Sequence, residues 1–202
     1  MRRRCPNRHA GPAEPGCPIH FRRADLFALP FDAESFDHVF VSFVLEHLSR
    51  PVEALSILNR LLRPGGIITV IEGDHGSTYF HPDSPAAHAA IQCQVRLQRE
   101  AGGNALIGRQ LYPLLVEAGF DAVRVSPRMV YVDSSRPDLV DGFTRKTFTA
   151  MIEGIRETAI ATGLLEPERF DAGIRDLHRT TEADGVFCYT FFKGVGGKRR
   201  DA

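Results

Sequence analysis

The chain has 202 residues, 43% hydrophobic and 25% charged, which is ordinary globular composition and long enough to bury a full core. Lysine plus arginine equals aspartate plus glutamate at 25 each, so no overall field draws the chain to nucleic acid or to an anionic membrane. No apolar run approaches the ~20 residues of a membrane helix, the basic start MRRR runs into no apolar signal core, and Cys5, Cys17, Cys93 and Cys188 lack disulfide-framework spacing, so a cytoplasmic protein with reduced thiols is expected.

In chain order, residues 1–18 are rich in Arg, Pro and Gly without an apolar period and read as a disordered or adventitious leader. Cys5, His9, Cys17 and His20 are zinc-ligand types, but their pairs are ordered unlike finger spacings, and no metal is predicted. IHFRRA (19–24) is a short strand candidate, and FDHVFVSF (36–43) has the near-continuous apolar character of a strand covered on both faces. Ser49 is placed to cap a helix whose Val52, Leu55, Leu58, Leu61 and Leu62 form one stripe, and RPGG stops it before a second strand, IITVIE (67–72). Strand, helix, glycine turn and strand make a parallel crossover unit. Ser84-Pro85 opens a helix running to Gly102, a shorter one ends at Gly119, and Pro127 interrupts the strand DAVRVSPRMVYVD, which suits a sheet edge. Residues 137–162 read as helical with Gly163 as the stop, Pro167 starts a last helix, and VFCYTFFK (186–193) is the closing strand. The fold class is α/β.

Taken together, ADLFALPFDAESFDHVFVSFVLEHL, LNRLLRPGGIITVIEGD and LYPLLVEAGF resemble the class I S-adenosylmethionine-dependent methyltransferases, in particular the small-molecule branch of ubiquinone and menaquinone biosynthesis. The likeness implies a Rossmann-like sheet with helices on both faces and an antiparallel last strand. It implies a methyltransferase domain over 19–195, with 137–180 as a helical insertion and 196–202 as a basic tail. It implies S-adenosylmethionine as cofactor and a small-molecule methyl acceptor as substrate. On the matching positions, Asp25 would accept from the adenine amino group and Leu26 would offer its backbone N–H to the ring. Ser42, Phe43 and Val44 would form the turn beneath the methionyl part, and His47 would border it. His75, Tyr79, His81 and Arg109, with Glu72 and Asp74, would surround the acceptor. No single residue is singled out as catalytic, because in-line alignment does most of the work of methyl transfer to a nucleophilic acceptor.

For each of these residues a plain structural role competes: a loop cap for Asp25, a packed histidine for His47, a polar surface loop for the acceptor group. The chain also departs from the family. Nothing before Ile19 supplies the glycine-rich first turn or the ribose-binding acid, so the first two strands are read as missing and activity as impaired. Strand 36–43 is then left with an unpaired apolar edge, and the expectation is self-association through that edge, most simply as a two-fold homodimer, or the third strand refolded against it, or poor solubility. An interaction module without catalysis is the alternative from another class. A nicotinamide-dependent oxidoreductase ranks last, since it needs the same missing glycine turn.

Overall fold

The computed structural model describes residues 19–200. The described residues fall into two units, divided between Pro30 and Phe31. In the first unit, residues 19–24 are exposed and form no strand, contrary to the sequence expectation; a segment this short with no ladder to join satisfies its backbone in water. A 3-10 turn, Leu26–Ala28, follows, capped by Asp25. The leader 1–18, with Cys5, His9 and Cys17, lies outside the described residues.

The second unit is a four-stranded sheet in the order β1-β2-β4-β3, from β1 (Phe36–Ser42), β2 (Leu62–His81), β3 (Asp121–Asp133) and β4 (Val186–Gly197). β1 and β2 are parallel, joined by α1 (Pro51–Leu61), while β4 runs antiparallel to both β2 and β3. The predicted parallel crossover and the antiparallel last strand are therefore present. β1 and β3 are the edges of the sheet among the described residues, as the unguarded apolar pattern of one and Pro127 of the other anticipated. β2 is far longer than the 67–72 segment legible in the sequence, because β4 pairs with it as far as His81 opposite Val186. The α1 cap is Arg50, not Ser49: Pro51 occupies the first helical position, where its missing N–H costs nothing, and so fixes the boundary one residue later. Gly119, at φ +83°, closes α3 (Leu111–Glu117) in the left-handed conformation that a side chain would resist.

Helices cover both faces. On one, Leu111 and Leu115 of α3 pack on Gly194, where a Cβ would crowd Leu115. On the other, α2 (Pro85–Glu100), capped by the Ser84 hydroxyl accepting from the Ala87 N–H, packs with α7 (Pro167–Arg179). Between Pro137 and Ala161 lie α4 (Pro137–Leu139), a π-helix (Val140–Thr149), α5 (Ala150–Glu153) and α6 (Arg156–Ala161). Their apolar side chains bury Phe148, Ile152, Ala159, Phe170 and Leu177 against Phe187 and Tyr189 of β4. The alternation of β4 divides the two cores: odd positions face the π-helix and α7, even positions face α3.

Candidate active site

In a parallel α/β unit ligands gather at the carboxyl ends of the strands. Here that place is built by two consecutive loops. β1 ends at Ser42, paired with Ile71, and Phe43 then donates its N–H to the Ile71 carbonyl at 3.0 Å. Phe43 turns sharply at φ +53°, a strained value for an aromatic residue, and Val44 leads into a 3-10 turn, Leu45–His47. What holds the turn is Glu72, fully buried at the end of the parallel stretch of β2. Its carboxylate accepts from the N–H groups of Leu45 at 2.9 Å and Val44 at 3.0 Å, and from that of Glu46 at a longer 3.4 Å. Burial raises its pKa; the N–H bonds from Leu45 and Val44 pull the other way without cancelling the rise. The Val44 carbonyl is taken by the His47 N–H at 3.1 Å. The Phe43 carbonyl accepts from none of the described residues, which leaves it available to a ligand.

The second loop is a bulge. Between Asp74 and Thr78 the β2–β4 register slips, and His75, Gly76 and Ser77 are extruded from the ladder. Asp74 is buried and chelated by Arg109, from Nε at 2.7 Å and Nη2 at 2.8 Å, with further bonds from the Gly76 N–H at 3.0 Å and the Ser77 hydroxyl at 2.8 Å. His75 Nδ1 lies 2.5 Å from the Tyr189 hydroxyl. Burial lowers the His75 pKa to about 4 and raises that of Tyr189, so at neutral pH the phenol donates and the neutral imidazole accepts. Gly73 makes the room, since a Cβ there would collide with the phenol oxygen. Rings continue from this couple: Phe148 and Phe143 of the π-helix stand 5.5 and 5.9 Å from Tyr189, Phe191 stands 4.7 Å from it, and Phe43 stands 5.4 Å from Phe191. An aromatic track thus joins the Phe43 turn to the buried couple.

Ser42, Phe43, Val44 and His47 sit together around one turn, with the His47 side chain 65% exposed beside Glu46. His75 and Arg109 belong to the adjoining bulge, but His75 is buried and Arg109 is committed to Asp74. Glu72 and Asp74 point inward and form the framework of the loops; they do not line an open acceptor pocket. Tyr79 is exposed and His81 ends β2, beyond the bulge. Asp25 and Leu26 lie in the first unit, where the Asp25 carboxylate accepts from the Phe27 N–H at 2.9 Å, the capping role that competed with adenine recognition. Tyr189 was missed by sequence reasoning. It lies 114 residues from His75 in an apolar strand, and no local pattern marks it.

Comparison with known proteins agrees with this frame. Residues 1–70 match the family described as a methyltransferase domain. An uncharacterised 37.1 kDa protein from a Streptomyces fradiae transposon is 34% identical over 138 residues, which is 67% of this chain and 39% of that protein. The ubiquinone/menaquinone biosynthesis C-methyltransferase of Roseobacter denitrificans is 46% identical over 95 residues, covering 46% of this chain and 36% of that one. The chain thus spans less than two fifths of these curated relatives. Among solved structures, the YcgJ protein of Bacillus subtilis shares the fold with a TM-score of 0.50 at 14% identity, over 90% of this chain and 72% of that one. The family match over residues 1–70 and these relatives make this chain similar to the class I small-molecule methyltransferases, the S-adenosylmethionine-dependent family that its motifs resemble.

Proposed function

We propose that the chain supplies the methionyl-side turn and the acceptor-side loop of an S-adenosylmethionine-dependent transfer of a methyl group to a small molecule. The observation that carries this is the turn Ser42–Val44, bent at Phe43 and held from behind by Glu72, with the Phe43 carbonyl accepting from none of the described residues. A free carbonyl at a strand end, backed by a buried carboxylate, suits the ammonium of a methionyl group. The donor's sulfonium supplies an activated methyl. The chain's own share is to orient that group, to exclude water with the aromatic track, and to fix the bulge through Asp74–Arg109. His75, Tyr79, His81 and Arg109 remain the candidate acceptor surroundings, with His75 acting through Tyr189. Asp25 and Leu26 remain the candidate adenine contacts. Calorimetry of the full chain with S-adenosylhomocysteine should show binding in the high-micromolar range. Asp25→Asn, which keeps the cap, should weaken binding severalfold without moving the thermal midpoint. Absence of any binding at millimolar ligand would overturn the reading.

A second reading is favoured by the position of β1 at the sheet edge, with Phe40 60% exposed. In it the chain pairs with a second copy through antiparallel β1 strands, without catalysis. Light scattering of the unmodified chain and of Phe40→Lys separates the cases: a dimer dissolved by the lysine supports this reading, and a monomer at all concentrations refutes it.

A further inference from the structure

At the opposite edge of the sheet, β3 and β4 bring three cations to one face. Arg124, Ser126 and Arg128 alternate along β3, and Ser126 is paired directly with Lys193, as Arg124 is with Val195. Residues spaced by two share a face, ~7 Å apart, and directly opposed residues share it at ~5 Å. Two guanidinium groups and an ammonium therefore flank one hydroxyl. Among the described residues none of the three cations has an ion-pair partner, although the sequence is balanced in charge. The nearby Asp121 is already engaged by Arg199 at 2.9 Å. The three line an open surface groove of about 850 Å³ that also takes in Tyr112 and Val195. Arg124 and Arg128 are exposed and Lys193 is half-buried, so an anion seated among them would be attracted by all three.

We propose that this groove binds a phosphomonoester with a small aromatic or apolar body. A phosphate carries about −1.5 to −2 charges and three acceptor oxygens near neutral pH, which answers two arginine forks and a lysine. A carboxylate would occupy one fork and leave the others unpaired. The remaining volume beside Val195 receives the body of the ester. The cations and Val195 lie on the face of β3 and β4 opposite α3, with Tyr112 of α3 also lining the groove, and the site stands or falls independently of the methyl-transfer reading.

The test is calorimetric titration of phenyl phosphate into the full chain, with phenol, benzoate and inorganic phosphate as comparison probes. The expected result is saturable 1:1 binding of phenyl phosphate, several-fold weaker binding of inorganic phosphate and none of phenol. Arg124→Gln/Arg128→Gln should weaken phenyl phosphate at least tenfold while leaving the S-adenosylhomocysteine response unchanged. If the double variant lowers the thermal midpoint, Arg128→Gln alone, at an exposed strand position, reads the same loss. No phenyl phosphate binding, equal binding of benzoate, unchanged affinity in the variants, or preference for a single-stranded oligonucleotide would each overturn the proposal.

Discussion

Replacing Glu72 by alanine removes the group on which the site's first turn is wound. Two N–H groups, of Leu45 and Val44, lose bonds of 2.9 and 3.0 Å, and a third, of Glu46, loses a longer one. Leu45 is fully buried, so its N–H is left without water and costs about 1–3 kcal/mol. Val44 is 37% exposed and its N–H can be rehydrated, which limits that loss to about 1 kcal/mol. Relief of burying a carboxylate offsets part of the sum, and the expected net destabilisation is about 2–3 kcal/mol. Glu72→Gln keeps an acceptor for Leu45 and Val44 but turns an NH₂ toward the Glu46 N–H, and should cost about 1 kcal/mol. The two variants also differ in pH dependence. The folded-state pKa of Glu72 is raised, so its contribution to stability is complete below the ordinary glutamate value of 4.5 and declines as pH rises through the folded value. The deficit of Glu72→Gln relative to wild type should therefore be largest in acid and shrink toward neutrality. Urea denaturation at several pH values gives the energies, and amide exchange at residues 44–46 locates them. An alanine variant within 0.5 kcal/mol (roughly the scatter of neutral surface substitutions) with unchanged exchange at Leu45 would refute the account of the turn.

The His75–Tyr189 couple makes a second pH prediction. A histidine lowered from 6.5 to about 4 stabilises the fold above pH 6.5, and that stability is lost as pH falls toward 4, by about 3 kcal/mol in all. His75→Gln should flatten this acid slope in denaturation curves, and an unaltered slope would assign the loss to other groups. Arg109→Ala strips the charge partner from buried Asp74; because the Arg109 side chain is 48% exposed, we expect about 1–2 kcal/mol and not the full cost of a buried pair. Arg109→Lys should recover only part of this in thermal melts, since a lysine cannot reproduce the two-pronged contact.

Much of the fold is legible in the sequence because its signals are local. The alternation of apolar stripes and runs, the proline at the start of α2 and α7, and the stops at Gly119 and Gly163 each involve neighbours in sequence. They specify an α/β chain with one parallel crossover and edges at β1 and β3. The turn after β1 was legible too, since Ser42, Phe43 and Val44 follow directly from where the apolar run ends. What the sequence could not show is which side chains meet across strands. Glu72 reads as an acceptor-loop acid, yet its position on β2 opposite the end of β1 turns it into the anchor of Leu45 and Val44. His75 meets Tyr189 only because three residues bulge out of β2 at that point, and Lys193 joins Arg124 and Arg128 only because Ser126 pairs with it. Shifting any of these ladders by one residue would move every such side chain to the opposite face. Register is decided by the sum of pairings along whole strands and by the packing of both cores, so tertiary structure alone converted these residues from a list of polar types into a site.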